Sequence, residues 1–233
     1  PDASEYVLQD VSFKAEKGQT VAFIGSTGSG KSTAINLVPR FYDATEGEVL
    51  VDGVNVKEYT LRALHDKIGY VPQRAVMFSG TVSGNVAYGE KDGMEYTAEQ
   101  VKEAVRVAQG QEFVEKMDDT YDAHIAQGGT NVSGGQKQRL AIARAVCRRP
   151  EIYIFDDSFS ALDYKTDKLL RRALKEETGD TTSLIVAQRI GTIRDADLII
   201  VLDEGQVVGK GTHDELMKNC EVYREIAYSQ LSK

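Results

Sequence analysis

The sequence predicts an α/β domain built on a mostly parallel β-sheet, and three observations support that prediction. Short apolar segments typical of strands alternate along the chain with segments of helical periodicity. This alternation is the arrangement that gives a parallel sheet covered by helices. A glycine-rich turn joins one buried strand to a helix. A chain of 233 residues is also long enough for one large domain, or for one core with an appended subdomain.

The predicted elements follow one another over nearly the whole chain. Strands are expected at residues 7–15, 19–25, 47–53, 68–71, 152–155, 181–187 and 197–202. Helices are expected at residues 31–40, across much of 81–117, at 133–148 and at 164–177. The segment 47–53 lies between glycines and should be an exposed antiparallel strand. A capping box at Thr212–Glu215 predicts a further helix near the end of the sequence.

Composition and charge exclude several classes of function. The chain is 41% hydrophobic and 27% charged, which is ordinary for a soluble globular protein. Its net charge of -8 argues against a nucleic-acid-binding surface, which needs clustered Lys and Arg. No apolar run approaches the roughly 18 residues of a membrane helix. The two cysteines and three histidines show no metal-ligand spacing, so we expect no metal site built from them and a reducing, cytosolic environment.

The glycine-rich turn carries the strongest local motif. Residues 25–32 match the phosphate-binding pattern G-x-x-x-x-G-K-[ST] between a predicted strand and a predicted helix. Glycines let the backbone N–H groups point at phosphate oxygens, Lys31 would reach the β- and γ-phosphates, and Ser32 would offer its hydroxyl to Mg²⁺. The predicted nucleotide-binding residues here are Gly25, Ser26, Thr27, Gly28, Ser29, Gly30, Lys31, Ser32 and Thr33.

A second element fits the same chemistry. Asp156 directly follows the apolar segment 152–155, which predicts a carboxylate at the C-terminal edge of a parallel strand. A P-loop protein needs a carboxylate at such an edge to hold Mg²⁺. The two elements together predict Mg²⁺ and a nucleotide as cofactors.

The segment Val132-Ser133-Gly134-Gly135-Gln136 indicates which family of nucleotide-binding proteins the sequence resembles. It resembles the signature motif of ATP-binding cassette (ABC) proteins. The resemblance implies that ATP is the nucleotide, and that Ser133, Gly134, Gly135 and Gln136 contact the γ-phosphate of ATP held by a second cassette. A helix N-terminus with two glycines suits such an anion. It also implies a P-loop NTPase fold with a RecA-like core, an antiparallel β-subdomain and a helical signature subdomain at about residues 81–148.

Other segments follow the order of the same family. Gln73 matches the Q-loop glutamine, which the resemblance makes a contact of Mg²⁺ and of the attacking water. Ser160–Asp163 matches the D-loop, which crosses the dimer interface. Ile125–Gly129 stands where exporters carry the X-loop that contacts transmembrane domains. Its glycines could instead be those of an ordinary loop. Together with Met77–Val82, this segment resembles exporter cassettes more than importer ones.

The resemblance also predicts what lies outside the sequence. The chain starts at Pro1 without Met, which suggests a fragment. The family's adenine-stacking tyrosine, its first strand and the transmembrane domain are expected upstream of Pro1; Tyr6 is a poor substitute for that tyrosine. The fragment itself should be soluble and should act at the cytoplasmic face of the plasma membrane.

Two positions depart from the family pattern. Asp157 stands where the family places its catalytic glutamate, and Gln188 stands where it places the switch histidine. An aspartate carboxylate is drawn back by one methylene, and glutamine cannot carry the charge of an imidazolium. The candidate catalytic residues are therefore Asp157, Gln188, Lys31 and Gln73, and the candidate Mg²⁺ ligands are Ser32, Gln73 and Asp156.

Paired changes of this kind resemble the degenerate half of heterodimeric exporters. The sequence thus predicts an ABC exporter ATPase domain that is weak at its own site and forms a head-to-tail dimer with a different subunit. Lipophilic drugs or lipids are the expected cargo. One alternative is a regulatory half that binds ATP without hydrolysing it. Another is a soluble ABC ATPase of DNA repair or translation, which the exporter-like X-loop and the acidic charge disfavour.

Overall fold

A computed structural model describes residues 6–89 and 95–231, with the side chain of Leu231 left out. Its strands are β1 (Thr20–Gly25), β2 (Leu50–Val51), β3 (Val54–Asn55), β4 (Ile68–Val71), β5 (Gly80–Thr81), β6 (His124–Ile125), β7 (Ile152–Asp156), β8 (Thr182–Val186), β9 (Leu198–Asp203) and β10 (Gln206–Gly211). Its α-helices are α1 (Lys31–Asn36), α2 (Leu61–Asp66), α3 (Val82–Val86), α4 (Ala98–Val107), α5 (Gln111–Glu115), α6 (Gly134–Cys147), α7 (Tyr164–Glu177), α8 (Ile190–Ile193), α9 (His213–Asn219) and α10 (Glu221–Leu231).

The chain divides into two compact units. The first unit comprises residues 1–68 and 182–233, and the second comprises residues 69–181. The helical subdomain predicted at about 81–148 falls within the second unit, and its extent stays a prediction. Part of the predicted helical stretch, residues 90–94, lies outside the described residues.

The first unit is organised around β1. This strand pairs in parallel with β8 on one side and with β9 on the other, and β10 pairs antiparallel with β9. The residues of β1 from Val21 to Ile24 are almost completely buried, as are those of β9 from Ile199 to Leu202. Strands covered on both faces lose the alternation of apolar and polar residues, which explains why these segments are continuously apolar. The mostly parallel sheet predicted from the sequence is confirmed in this unit.

The second unit combines the strands β4, β5, β6 and β7 with helices. β4 and β7 are neighbours in the strand order, and the short strands β5 and β6 pair antiparallel. α6 packs against both α3 and α4, and α4 also contacts α7. Buried Val82, Val101, Val105, Leu140 and Ile142 supply apolar side chains from these helices. Burial of such residues is the main stabilising contribution to a helical unit of this kind.

Three of the predicted elements are wrong in extent or type. Residues 7–15 form no strand, although their side chains alternate between exposed and half-buried from Asp10 to Ala15. Alternation alone does not make a strand, because the backbone groups also need a neighbouring chain to form a ladder. The segment instead places Phe13 against Phe23, with ring centroids 5.2 Å apart. Backbone contact is limited to points such as the bond from Gln9 N–H to the Gly205 carbonyl (2.9 Å).

The other two elements, a helix and a strand, differ from the prediction in their extent. The helix expected at 31–40 ends at Asn36, because Pro39 has no N–H group and its ring would clash with the Ile35 carbonyl in a continuing helix. The strand expected at 47–53 is the hairpin of β2 and β3. Its turn residues Asp52 and Gly53 both have positive φ, at 52° and 76°, as a tight two-residue hairpin requires.

Both cysteines are buried. Cys147 closes α6, and burial raises the pKa of its thiol to about 11. Cys220 follows α9 and packs against Gly209, where a Cβ would lie 2.6 Å from the Cys220 sulfur. The structure describes no helix long and apolar enough to cross a membrane.

Candidate nucleotide-binding site

The predicted phosphate-binding turn links β1 to α1 in the first unit. Gly25, Gly28 and Gly30 all have positive φ, at 154°, 83° and 96°. A Cβ on Gly25 would lie 1.9 Å from the Leu202 carbonyl oxygen, and one on Gly30 would lie 2.6 Å from the Leu8 side chain. The turn therefore requires glycine both for its backbone conformation and for its contacts.

Lys31 is buried at the start of α1 and closes this turn. Its ammonium donates to the carbonyls of Gly25 (2.9 Å) and Ser26 (2.6 Å) and to the Ser29 hydroxyl (3.3 Å). These three neutral acceptors hold the ammonium against the turn. A group of phosphate oxygens would offer it stronger, charge-assisted bonds.

Gln188 lies at the same edge of the sheet as the turn. β8 runs parallel to β1, with Phe23 opposite Val186, so both strands end at one edge and Gln188 follows two residues beyond. Gln188 is exposed, and its backbone carbonyl accepts a bond of 2.7 Å from the Gln230 side chain in α10. The Gln230 contact was not predicted from the sequence, because 42 residues separate the two.

The second unit holds the carboxylates that follow β7. Asp156 is half-buried and accepts a bond of 3.4 Å from the Tyr70 hydroxyl. Asp157 is only 6% exposed, has φ of 49° and accepts a bond of 3.1 Å from the Gln73 side-chain amide. The structure therefore brings together two positions that the sequence analysis assigned to one site. The Ser160 hydroxyl also donates to the Asp157 carbonyl (2.8 Å).

The backbone at Asp157 is held in an uncommon conformation. Positive φ is rare for a residue with a side chain, although aspartate is among the residues that adopt it most readily. The neighbouring residue fixes this backbone further, because the buried Ser158 hydroxyl donates to the Val71 carbonyl at 2.7 Å. A short carboxylate on a fixed backbone has little reach, and the Asp157 carboxylate is already engaged by Gln73 of the same unit.

The predicted signature residues form the N-terminus of the 14-residue helix α6. The Ser133 hydroxyl accepts from Gln136 N–H (3.2 Å), and the Gln136 side chain accepts from Ser133 N–H (2.8 Å), which completes a capping box. Gly134 has open space where a side chain would be, and a Cβ on Gly135 would lie 3.4 Å from the Ala161 carbonyl. The end of α6 is thus rigid, exposed at Ser133 and Gly134, and in contact with the predicted D-loop.

Gln138 links α6 to the predicted Q-loop. This amide is only 2% exposed and donates to the Pro72 carbonyl (3.2 Å), next to Gln73. A buried polar side chain generally has such a partner. Gln138 was not predicted as a site residue; the signal was a glutamine on the otherwise apolar buried face of α6.

Charged groups around the signature are held in place by specific contacts. The pKa of Asp163 is lowered, first by the bond from the Thr166 hydroxyl and then by bonds from backbone N–H groups at the start of α7. Burial lowers the pKa of Arg139, whose guanidinium donates to the Gln109 carbonyl (2.8 Å) and lies 4.6 Å from the centre of the Phe113 ring. A carboxyl group whose pKa is lowered stays ionised at neutral pH, so Asp163 carries a negative charge there.

The predicted X-loop packs against the segment that follows the Q-loop. Gly128 N–H donates to the Met77 carbonyl (3.0 Å), and Ser79 N–H donates to the Gln127 side chain (3.2 Å). Phe78 stacks on Tyr88 at 4.2 Å, and the Arg144 guanidinium lies 5.4 Å and 5.6 Å from the centres of these rings. This grouping around Arg144 was not predicted from the sequence, since its members come from three separate segments.

The candidate Mg²⁺ ligands suit that ion in chemical type. Ser32, Gln73 and Asp156 offer a hydroxyl, an amide oxygen and a carboxylate, and hard divalent cations prefer such oxygen ligands. The bond from Gln73 to Asp157 uses the side-chain nitrogen of Gln73 and not its amide oxygen. Among the residues that the structure describes, no group of three or more His, Cys, Asp or Glu could hold a metal ion.

A glycine-built turn at the end of a parallel strand, with a buried lysine, indicates a nucleotide-binding domain of the α/β class. Comparison with known proteins identifies the family. The model of a family described as "ABC transporter" matches residues 8–160. This chain therefore belongs to the ABC transporter family, and it is an ATP-binding domain of that family.

Individual relatives agree with this assignment. An uncharacterized ABC transporter ATP-binding protein of Mycobacterium tuberculosis is 51% identical over 230 residues, which cover 99% of this chain and 39% of that protein. The ATP-dependent lipid A-core flippase of Escherichia coli is 41% identical over 226 residues, which cover 97% of this chain and 38% of the flippase. The chain thus spans about two fifths of the length of these relatives.

A solved structure supports the fold. A bacterial Atm1-family ABC exporter with ATP bound superposes with a TM-score of 0.93 at 34% sequence identity, over 100% of this chain and 40% of that one. The predicted P-loop NTPase fold of an ABC exporter is therefore confirmed.

Proposed function

We propose that this chain is the ATP-binding domain of an exporter in which its own site binds Mg·ATP but hydrolyses it slowly. Gly25–Thr33 cradle the phosphates, and Ser32, Gln73 and Asp156 serve the ion. The intact signature at Ser133–Gln136 serves ATP bound to a different cassette subunit in a head-to-tail dimer. A transmembrane domain of the same polypeptide carries the cargo across the plasma membrane, with this domain at the cytoplasmic face.

The observation that carries this proposal is the environment of Asp157. Its carboxylate is buried, sits on a backbone with φ of 49° and accepts a bond from Gln73 at 3.1 Å. A general base contributes about 10²–10⁴ in rate when it reaches the attacking water. A 1 Å misplacement can cost about 10²-fold. A carboxylate that is one methylene short and bonded to Gln73 supports slow hydrolysis.

The Gln188 position supports the same conclusion. A neutral amide can donate one hydrogen bond to a γ-phosphate, but it adds no positive charge as the phosphate leaves. Stabilisation of developing charge is commonly the largest contribution to catalysis. In this proposal, the missing positive charge at Gln188 therefore slows hydrolysis further than the short carboxylate of Asp157 does alone.

Lipids or lipophilic compounds are the cargo class that we propose. The support is a relative, the lipid A-core flippase of Escherichia coli, which is 41% identical over this domain. This part of the proposal rests on relatedness alone, because the residues that select cargo in an exporter belong to its transmembrane domain. Transport of a fluorescent lipid in vesicles containing the full-length assembly would test it.

Recovery of nucleotide from each subunit tests the slow site. The full-length assembly is incubated with 8-azido-[α-³²P]ATP for several turnovers, cross-linked by light, and the nucleotide on each subunit is identified. We expect triphosphate on this chain and diphosphate on the partner. Diphosphate accumulating on both at equal rates would refute the slow site. Triphosphate on both subunits, with no turnover, would instead favour a regulatory domain that only binds ATP.

A further inference from the structure

The short helix α8, directly after Gln188, has no cap of its own. α8 begins at Ile190, and the residue before it, Arg189, makes no side-chain capping bond. The first N–H groups of any helix have no partner within the helix and need one from elsewhere. Arg189 cannot supply it, because a guanidinium has no acceptor.

The missing cap comes from α10. The Gln230 side-chain oxygen accepts from Ile190 N–H at 2.9 Å, and the Gln230 side-chain nitrogen donates to the Gln188 carbonyl at 2.7 Å. A single amide group thus bonds to the backbone on both sides of Arg189. Such a pair fixes the peptide planes between Gln188 and Ile190, and with them the direction in which the Gln188 side chain leaves the backbone.

The helix that carries Gln230 is itself firmly held. Tyr223 of α10 is fully buried, and its hydroxyl is 2.8 Å from His213 Nδ1 in α9. Arg224 donates to the Lys218 carbonyl at 2.8 Å, near the C-terminal end of α9. α10 also contacts β1 and β10. Gln230 is an exposed side chain near the end of α10, and its two bonds connect this packed helix to the loop.

We propose that Gln230 is the positioning residue for Gln188, and that α10 controls the nucleotide site through this amide. The proposal rests on the proposed function insofar as Gln188 contacts the γ-phosphate. The Gln230 side chain itself acts only through the backbone of residues 188–190. A partner or ligand that displaced the last turn of α10 would release this loop and so change how long ATP stays bound.

Hydrogen exchange of the full-length protein tests the structural part. In Gln230→Ala the amide of Ile190 loses its acceptor, and we expect it to exchange ~10-fold faster, as loss of one such bond implies. Ser229→Ala is the matched control, because its hydroxyl donates only within α10, to the Ile226 carbonyl. Equal exchange at Ile190 in the two variants would overturn the proposal.

Release of ATP from this chain tests the functional part. The full-length assembly is loaded with radiolabelled ATP, chased with unlabelled ATP, and the label cross-linked to this chain is followed over time. We expect release to be ~3- to 10-fold faster in Gln230→Ala than in Ser229→Ala, the effect of about one hydrogen bond. Gln230→Glu keeps the acceptor for Ile190 N–H but loses the donor to the Gln188 carbonyl. The exchange rate of the Ile190 amide should therefore lie between those of Gln230→Ala and the parent protein, and ATP should be released as fast as from Gln230→Ala.

A double variant separates positioning from simple destabilisation. If Gln230 acts through Gln188, then Gln230→Ala should have little further effect on release once Gln188→Ala is present. Full additivity of the two effects would overturn the proposal. Rapid hydrolysis at this site in the parent protein would contradict the slow-site proposal alone, because the effect of Gln230 on exchange and on release would still be measurable.

Discussion

The N-terminus of α6 and the end of β7 lie in the same unit, but they differ in how they could act. We propose that the end of α6 acts through the Ser133 hydroxyl and backbone N–H groups, beside a capping box closed between Ser133 and Gln136. The end of β7 works through the reach of one carboxylate, Asp157, which is engaged by Gln73. The sequence predicts an intact signature motif at the first region and a departure from the family pattern, Asp157, at the second.

In the function that we propose, one domain keeps the element it offers to a partner while hydrolysis at its own site is slow. A site built from backbone tolerates few changes: at Gly25 any Cβ would lie 1.9 Å from a carbonyl oxygen. A site built from side chains can lose one methylene or one charge without any change of fold. Binding and hydrolysis can therefore diverge independently.

The largest expected effect compares these two regions directly. Ser133→Ala should lower the steady-state ATPase rate of the assembled heterodimer by ~10²–10³-fold, because it removes a donor to the partner's transferring phosphate. Gly135→Asp should do the same, since it adds a negative charge there. Asp157→Ala should leave most turnover intact, because we propose that the site it belongs to is already slow.

Thr97→Ala is the matched control for Ser133→Ala. Thr97 forms the same kind of capping box with Gln100 at the start of α4, so this variant loses a comparable cap worth about 1 kcal/mol without touching the signature. Turnover should change little in Thr97→Ala. A greater loss of ATPase activity in Asp157→Ala than in Ser133→Ala would contradict the degenerate-site proposal.

The next effect concerns binding. Lys31→Ala should weaken ATP binding to this chain by ~100-fold, because charge-assisted bonds to two phosphates are lost. Calorimetry of the domain and photo-cross-linking in the assembly would both measure it. Lys14→Ala is the control, because it removes an exposed lysine that pairs with exposed Glu16, and it should bind ATP normally. Unchanged binding in Lys31→Ala would refute the predicted P-loop.

The smallest expected effect is an increase in the rate of ATP hydrolysis at this chain's own site. Asp157→Glu combined with Gln188→His should raise hydrolysis at this chain's site ~10- to 100-fold, since it restores the reach of the base and a chargeable donor. The measurement is diphosphate formed on this chain in the assembly. Each single change should give less than the pair. If the pair gives no increase, other features of the site, or the partner's signature, set the slow rate.

Much of the fold could be predicted because its local signals agree with its tertiary contacts. The helix predicted at 164–177 has those bounds in α7, and Thr212 caps α9 as predicted. The strand prediction for residues 7–15 was wrong because side-chain alternation carries no information about a neighbouring strand. β10 was missed because its two glycines, Gly209 and Gly211, obscure the strand pattern.

The candidate site was predictable where chemistry is encoded in short motifs and not where it depends on distant packing. The P-loop and signature are contiguous in sequence. By contrast, the bond between Gln138 and Pro72 spans 66 residues and that between Gln188 and Gln230 spans 42. A glutamine on an apolar helix face, such as Gln138, marks a buried amide, but the sequence does not identify the partner of that amide.

The burial of the two cysteines has a practical consequence for spectroscopy. With a pKa of about 11, the Cys147 thiol is ionised in only about 1 molecule in 10⁴ at pH 7, and only the thiolate reacts readily with maleimides. Cys220 is packed against Gly209 and shielded from reagents. A cysteine introduced at an exposed position such as Lys14 could therefore carry a fluorophore or spin label in folded protein, with both native thiols left in place.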